Sequence, residues 1–582
     1  MMQIPLKVET LRQAYRHDET TPTRVVEEII EKARAEADKN IWITEPDMSF
    51  IAPFIEKLET IDFDDAPLWG VPFAMKDNID LEGMPTTAGC EDYTYTPSEH
   101  AAVVKRLIKA GAIPVGKTNL DQFATGLVGT RSPYGETHNS LKDELISGGS
   151  SAGSPVAVAR GQAAFALGTD TAGSGRVPAA LNELVGFKPS LGAWPTKGVV
   201  PACESLDCVT VFTHNLKDAL LVDEVVRGED PEDPWSKPMD AVSPATPETF
   251  LLPKEKPGFY GPFATEYRKA WEKAVARIES LDVSVEYIDT TLFSEAASIL
   301  YGGPWIAERW AALGTFIENH PNSAFPVTEQ VLRSGAGDQY NAASVFEAMH
   351  TLQDMKRQTN QLLKNAVLVM PTCGGTWTRE EVRNNPIQTN SDMGRYTNHC
   401  NLLDLSAIAV PGDVAGDDLP FGITLFGLSE EESLVLGGAA LFTGERMRFS
   451  KDLSNENSTL IAVCGLHMRG YPLESQMNEH NARFVRNAYT APTYKLYKLS
   501  TEPAKPGMVK QSADGGAIHV ELWEMPVDKL GSFTAKIPSP LGMGKIELEN
   551  GEEVPGFVCE GWVEKEAEDI TSLGSWTLVE NE

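Results

Sequence analysis

The sequence is poor in positive charge, and it lacks the segments that mark membrane or secreted proteins. Its 582 residues include 50 lysines and arginines against 83 aspartates and glutamates, a formal net charge of −33. Such a surface repels phosphate backbones, so no nucleic-acid partner is expected. No apolar run is long enough to span a bilayer, and the first residues lack the basic and apolar stretches of a signal peptide. We therefore expect no membrane association.

Cysteine is also scarce, and several catalytic motifs are missing. The seven cysteines are odd in number, scattered, and never spaced as CxxC. This pattern favours reduced thiols in a cytoplasmic protein and argues against a zinc site. The chain contains neither a GxxxxGKS/T phosphate loop nor a GxSxG nucleophile elbow. No serine is evidently paired with a histidine, so a Ser-His-Asp triad is not the natural hypothesis.

What the chain does contain is a repeated alternation of helix, glycine stop and short apolar strand. Apolar residues recur at helical spacing from Thr23 to about Ala35, with Thr21 or Thr23 as the cap. A second helical pattern, Ala101 to Ala110, ends at Gly111, and the strand-like AIPVGK follows it. The alternation continues to about residue 215. It predicts an α/β fold with a central, largely buried sheet.

The character of the sequence changes near residue 450. GITLFGL is typical of a late strand and SLVLGGAALF of the last helix of the first domain, whereas residues 446–458 are polar and patternless. Short β-like runs follow, and one of them carries an Asn-Gly hairpin pattern. We therefore predict a domain over 1–445, a linker over 446–458, and a small β-rich domain over 459–582.

Two Gly/Ser-rich turns within residues 148–176 are the strongest indication of a catalytic site in the sequence. They flank a small, apolar, helix-compatible segment from Pro155 to Ala166. Glycines beside serines permit sharp turns that expose a hydroxyl and aim backbone N–H groups, as an acyl-transfer site requires. Such loops are also common as plain turns or phosphate cradles, and the residues alone leave these alternatives open.

Together with VPFAMKDNID (residues 71–80), these turns resemble the signature of the amidase signature family. That signature has a lysine in a KDN segment, a GGSS turn, a small-residue helix and a second serine loop. Here the lysine is Lys76, the first serine of GGSS is Ser150, and the loop serine is Ser174, 24 positions later. The resemblance implies the family fold, a central mixed sheet covered by helices.

The resemblance also implies roles for these residues. Ser174 is expected to be the nucleophile and Lys76 the base. Ser150, which in the family is preceded by a cis peptide bond, is expected to bridge the two. A lysine can do so only when uncharged, and burial in the apolar strand would lower its pKa from about 10.4. The oxyanion hole is expected from the N–H groups of Thr171, Ala172 and Gly173, although most relatives have glycine at position 172. Asp170 and Arg176 are expected to be structural partners of the loops.

Two further segments resemble allophanate hydrolases within that family. In YGGPWIAERW, Tyr301 and Arg309 match residues that hold the substrate carboxylate, and Gly126 matches a position that contacts its amide end. Residues 459–582 resemble the C-terminal domain of these enzymes, whose fold is like that of γ-glutamyl cyclotransferases. His467 matches a histidine proposed to assist a second step. Taken singly, Arg309 could also be a helix-surface arginine in a salt bridge, and His467 could be a structural residue.

The implied reaction is hydrolysis of allophanate to ammonia and N-carboxycarbamate, which then loses carbon dioxide, with no metal or organic cofactor. The setting would be urea breakdown beside a urea carboxylase, or degradation of cyanurate or biuret. Relatives are commonly homodimers. Two alternatives stay open: another amidase of the family, such as the amidase subunit of a tRNA-dependent amidotransferase, and a non-catalytic scaffold that kept the fold.

Overall fold

A computed structural model describes residues 5–416, 419–447, 458–512 and 514–579. The chain divides into two compact units, Met1–Phe449 and Ser450–Glu582. Residues 448–457, most of the predicted linker, lie outside the described residues. The domain bounds predicted from the sequence therefore stay predictions.

The first unit is built on one large mixed sheet whose strands are mostly short. Its order among the described residues is β1-β3-β2-β4-β6-β5-β10-β11-β9-β7-β8. The strands are β1 (Trp42–Thr44), β2 (Pro72–Lys76), β3 (Ile113–Thr118), β4 (Phe165–Asp170), β5 (Val185–Lys188), β6 (Cys208–Thr213), β7 (Thr249–Pro253), β8 (Ser284–Ile288), β9 (Ala366–Pro371), β10 (Leu405–Pro411) and β11 (Gly422–Leu428). The inner strands β2 to β6 are buried along their whole length, which suits their largely apolar sequences.

Helices accompany this sheet through the whole unit. They are α1 (Val8–Arg16), α2 (Pro22–Ala35), α3 (Met48–Lys57), α4 (Ala102–Lys109), α5 (Gly153–Ala159), α6 (Val177–Leu181), α7 (Leu216–Val226), α8 (Ala264–Glu279), α9 (Thr291–Gly302), α10 (Trp305–Asn319), α11 (Pro326–Ser334), α12 (Ala342–Leu363), α13 (Arg379–Asn384), α14 (Gln388–Met393), α15 (His399–Leu402) and α16 (Glu432–Thr443). The predicted α/β class with a central mixed sheet is confirmed.

Local sequence chemistry accounts for where these helices begin and end. Thr21 caps α2 by accepting a hydrogen bond from the Arg24 N–H, and Pro22 occupies the first helical position. After α4 the chain turns at Gly111, whose φ of +89° lies in the region that favours glycine. Both helices were predicted at nearly these bounds.

The predicted helix over Pro155 to Ala166 is wrong in its second half. Helix α5 begins earlier, at Gly153, and ends at Ala159; the chain then turns through Gly161, which has a φ of +65°. Phe165 and Ala166 already belong to β4, where Phe165 stacks on Phe73 of β2 with ring centroids 5.3 Å apart. Small apolar residues suit a helix and a buried strand equally, so composition did not separate the two.

The second unit is β-rich, as predicted. Its sheets run β13-β16-β12-β18-β17 and β15-β14-β19 among the described residues. The elements are β12 (Ser458–Val463), α17 (Glu474–Glu479), β13 (Arg483–Tyr489), β14 (Tyr494–Leu499), β15 (Lys505–Lys510), β16 (His519–Pro526), α18 (Val527–Thr534), β17 (Leu541–Glu547), β18 (Glu553–Cys559) and β19 (Glu568–Asp569). The Asn-Gly pair forms the β17–β18 turn, with Gly551 at a φ of +83°. Its likeness to γ-glutamyl cyclotransferases stays a prediction.

Candidate functional site

The candidate site lies where two neighbouring strands of the large sheet end. Strands β2 and β4 pair in parallel, so Lys76 at the end of β2 lies beside Thr169 near the end of β4. The Lys76 Nζ atom is 2.8 Å from Ser150 Oγ and 2.7 Å from Thr169 Oγ1. Ser150 Oγ is in turn 2.9 Å from Ser174 Oγ. The three residues singled out from the sequence thus form one hydrogen-bonded chain, and the Gly149–Ser150 peptide bond is cis.

Lys76, the lysine of this hydrogen-bonded relay, is fully buried, with a relative exposure of 0%. Burial lowers the pKa of Lys76 from its ordinary value to about 7, because the interior disfavours the charged ammonium. The carboxylates of Asp207, Asp121 and Asp170 oppose this shift, whereas the Arg309 guanidinium adds to it. Near neutral pH, a large share of the molecules therefore carries the uncharged amine that a base must be.

A buried ion pair holds the loop that carries Ser174. The Arg176 guanidinium donates two hydrogen bonds of 2.9 Å to the Asp170 carboxylate, and both side chains are buried. The same carboxylate accepts the N–H groups of Gly173 at 2.8 Å and Gly175 at 3.0 Å. Burial alone would raise the pKa of Asp170, but Arg176 outweighs it and the pKa is lowered. Both residues occupy the structural positions that were predicted for them.

The predicted oxyanion-hole donors are not equally free. The Gly173 N–H already donates to Asp170, so this geometry does not favour the role predicted for Gly173. Gly173 has a φ of +141°, and a Cβ atom there would collide with the Thr397 hydroxyl. In the part of the chain that the structure describes, the N–H groups of Thr171, Ala172 and Ser174 have no hydrogen-bond acceptor.

The predicted substrate residues come together on helices α9 and α10 and the loop after β3. The Arg309 guanidinium lies 5.7 Å from the centre of the Tyr301 ring and donates a hydrogen bond of 3.1 Å to Thr125 Oγ1. Only 2% of Arg309 is exposed, so it is not the surface arginine that its sequence context also permitted. Gly126 follows Thr125 directly, and a Cβ atom there would collide with the Asp121 carboxylate.

Two buried carboxylates near the site were missed in the sequence. Asp121 accepts the N–H groups of Val128, Gly129 and Arg131 at 3.1, 3.0 and 2.9 Å, which fixes the loop that contains Gly126. Asp207 precedes β6 and lies in the wall of a cavity of about 670 Å³. Single aspartates in loops have no periodic pattern, so nothing in the sequence marked either residue.

His467 belongs to the second unit and is described separately. Its ring lies over Phe557, with centroids 5.0 Å apart, and its Nε2 atom is 3.1 Å from Gln476 Oε1. Burial lowers the pKa of His467. The ring lines a cavity of about 170 Å³, which the lysines Lys505 and Lys536 also line. Apolar side chains thus share the cavity wall with His467, Gln476 and two lysines, of which Lys536 pairs with Glu479 at 3.0 Å.

Neither a metal-ligating cluster nor a membrane-spanning helix occurs among the described residues. No group of three or more histidine, cysteine, aspartate or glutamate side chains there could hold a metal ion. No helix within these residues is both long and apolar enough to cross a membrane.

Comparison with known proteins gives the same two-part division. The family model described as Amidase matches residues 24–436, and that of the Allophanate hydrolase C-terminal domain matches residues 459–580. The urea amidolyase of Lachancea kluyveri is 42% identical over 88% of this chain, and that of Saccharomyces cerevisiae is 38% identical over 95%. The chain covers 29% and 32% of their lengths, about a third. The structure of Kluyveromyces lactis allophanate hydrolase superposes with a TM-score of 0.71 at 38% identity, covering 98% of both chains.

Proposed function

The chain belongs to the amidase family, and from this premise we propose that it is an allophanate hydrolase. The reaction is hydrolysis of the terminal amide of allophanate by water to ammonia and N-carboxycarbamate, which then loses carbon dioxide. The order of an amidase domain followed by an allophanate hydrolase C-terminal domain supports the proposal. The observation that carries it is the buried chain of hydrogen bonds from Lys76 through Ser150 to Ser174.

We propose that the hydrogen bonds from Lys76 through Ser150 activate Ser174. A hydroxyl both donates and accepts, so the chain can carry a proton toward an uncharged lysine. The Ser174 proton moves to Ser150 as the Ser150 proton moves to Lys76 Nζ, and Ser174 Oγ forms a bond to the amide carbon. The oxygen of the resulting tetrahedral centre becomes negatively charged. We assign its stabilisation to the N–H groups of Thr171 and Ala172, which have no acceptor among the described residues.

Collapse of this intermediate breaks the carbon–nitrogen bond. The proton taken up by Lys76 returns through Ser150 to the leaving nitrogen, which departs as ammonia and leaves an acyl group on Ser174. Water then attacks the acyl carbon, with Lys76 again taking a proton through Ser150. The serine hydroxyl is regenerated and N-carboxycarbamate leaves. Each proton that the lysine accepts is thus returned, and the enzyme ends in its starting state.

We propose that Arg309 and Tyr301 select a substrate that carries a carboxylate. A guanidinium can donate two parallel hydrogen bonds to a carboxylate, and a phenol adds a third donor. Within the described residues Arg309 donates only one hydrogen bond, to Thr125, so most of its donors are free for a ligand. Gly126 would contact the amide end of the substrate, and the neighbouring Asp121 carboxylate leaves no room for a side chain at this position.

The second unit, the oligomeric state and the biological setting complete the proposal. We propose that His467 assists the breakdown of N-carboxycarbamate in the second unit, with domain bounds of 1–445 and 459–582. Lys505 in the wall of the cavity beside His467 offers a positive charge to an anion, whereas Lys536 in the same wall is paired with Glu479. We further propose a cytoplasmic homodimer that receives allophanate from a urea carboxylase. The name urea amidolyase of the two relatives supports a place in urea breakdown.

A substrate panel separates this proposal from its alternatives. Ammonia release is measured with allophanate, malonamate, biuret, glutamine and simple amides, and kcat/KM is compared. We expect allophanate to be preferred over biuret, which lacks the carboxylate. A preference for glutamine would instead indicate an amidotransferase-like amidase. No release from any amide, in a folded protein, would support the scaffold alternative.

A further inference from the structure

Asp207 links three segments around the candidate site. Strands β4 and β6 are antiparallel with Asp170 opposite Cys208, so Thr171 and Asp207 form the next facing pair beyond the strands. The Thr171 hydroxyl donates to Asp207 Oδ1. The other oxygen, Oδ2, accepts the N–H of Ala202 at 2.7 Å and of Cys203 at 3.2 Å. One carboxylate therefore ties the Thr171 loop to the chain before β6.

The position of Thr171 gives this tie a consequence for the reaction. Thr171 and Ala172 carry the N–H groups proposed to stabilise the oxyanion, and Thr171 is 3% exposed. An oxyanion donor acts only at about 2.7–3.1 Å from the developing charge. Because the Thr171 hydroxyl is hydrogen-bonded to Asp207, the carboxylate restricts the orientation of the backbone N–H groups of Thr171 and Ala172.

Asp207 is also a buried charge next to the segment that contacts the base: it binds Thr171, and Thr169, two residues earlier, has its hydroxyl 2.7 Å from Lys76 Nζ. The charged groups that act on Lys76 are the carboxylates of Asp207, Asp121 and Asp170 and the guanidinium of Arg309. Among the three carboxylates Asp207 acts most strongly. Burial raises the pKa of Asp207, while its hydrogen bonds and Arg309 favour the anion. The Asp170 carboxylate is bound directly by the Arg176 guanidinium. The Asp207 carboxylate accepts hydrogen bonds only from neutral donors in the described part of the chain, a hydroxyl and two backbone N–H groups.

We infer that Asp207 is a positioning residue with two separable effects, orienting the Thr171–Ala172 donors through the Thr171 hydroxyl and retaining the proton on Lys76 through its charge. The inference rests on the proposed function in so far as Lys76 is the base and these amides are the donors. It does not depend on which amide is cleaved.

Three variants separate the two effects. Thr171→Val removes the hydroxyl at nearly constant shape but leaves the charge of Asp207, and Thr171→Ser restores the hydroxyl. Asp207→Asn removes the charge. Asp218→Asn is the matched control: Asp218 is another buried carboxylate of the first unit that accepts a backbone N–H, from Val8, and it is not among the charges that act on Lys76. All variants are studied in the full chain.

Two rates are measured for each variant between pH 5 and 9. The first is the turnover of allophanate, from which kcat, KM and kcat/KM are obtained. The second is the second-order rate constant for the reaction of Ser174 with a fluorophosphonate, a probe that needs no specific substrate. We expect Thr171→Val to lower kcat about 10- to 100-fold, as a misplaced catalytic group does, with KM nearly unchanged and the pH midpoint fixed. Thr171→Ser should recover most of the rate.

Asp207→Asn should move the pH midpoint of both rates to lower pH, because loss of the anion makes Lys76 easier to deprotonate. Asp218→Asn should leave the midpoint where it is, even if it lowers the thermal stability. An unchanged or raised midpoint in folded Asp207→Asn would overturn the charge effect, and a Thr171→Val variant as fast as Thr171→Ser would overturn the orienting effect. A wild-type chain that reacts with the fluorophosphonate but not with allophanate would refute the proposed substrate while leaving both comparisons valid.

Discussion

Replacing Arg309 by methionine separates substrate recognition from stability. Methionine keeps much of the side-chain volume and removes the guanidinium, which is 2% exposed. In the free protein the change removes one hydrogen bond, to Thr125, a contribution of about 1.5–3 kcal/mol for a charged donor. It also removes the cost of burying a charge, which is of similar size and opposite sign. We therefore expect little net change in the free energy of unfolding.

The same change should be severe for the substrate. A carboxylate that enters the site would be left without its charged partner, which costs about 2–5 kcal/mol. This corresponds to a loss of roughly 30- to 5,000-fold in kcat/KM, at 1.36 kcal/mol for each factor of ten. Turnover of biuret, which has no carboxylate, should fall far less. Arg309→Lys should recover only part of the loss, because a lysine cannot form the two parallel hydrogen bonds.

The assay combines thermal unfolding with kcat/KM for allophanate and for biuret in wild type, Arg309→Met and Arg309→Lys. We expect the ratio of kcat/KM for allophanate to kcat/KM for biuret to fall sharply, while the melting temperature changes by a few degrees at most. An Arg309→Met variant that still prefers allophanate by the wild-type factor would refute this expectation. A large drop in melting temperature with an unchanged ratio would instead make Arg309 a structural residue.

Other predictions follow from the same geometry. Activity should rise with pH around 7 and level off above, since the pKa of Lys76 is about 7 and the neutral amine is the working form; a flat profile from pH 6 to 9, with chemistry limiting, would contradict this. Ser150→Ala should retain measurable activity, because water can replace a relay hydroxyl, whereas Lys76→Ala should lose nearly all of it; equal losses in steady-state rates would count against the relay. A fragment that ends near residue 455 should fold and release the first ammonia, and His467→Ala in the full chain should delay only carbon dioxide and the second ammonia; identical time courses would leave His467 a structural residue.

The sequence predicted the parts of the fold where one pattern allowed one structure. The capped helix after Thr21, the glycine-terminated helix before Gly111 and the Asn-Gly turn of the second unit each have a local cause that sequence displays. The segment Pro155 to Ala166 was misassigned because small apolar residues serve a helix and a buried strand alike. Gly161, at the turn between them, was the residue that distinguished the two.

The candidate site was predicted only as far as the resemblance reached. It gave Lys76, Ser150 and Ser174, but the residues themselves showed no reason for one lysine to be buried beside two serines. The Asp121 carboxylate binds N–H groups 7 to 10 positions further on, in an irregular loop that no periodic pattern marks. The Asp207 carboxylate binds the hydroxyl of Thr171, 36 positions away in the chain. Such contacts are set by how the strands pair, so they become visible only in three dimensions.

The central claim is that Ser174 attacks allophanate through the chain of hydrogen bonds that ends at Lys76. The most direct measurement is ammonia release from allophanate by the wild-type chain and by Ser174→Ala, with circular dichroism to show that both are folded. We expect sustained release by the wild type and none above background by the variant, which loses the nucleophile and little volume. Near-normal turnover by folded Ser174→Ala would contradict it.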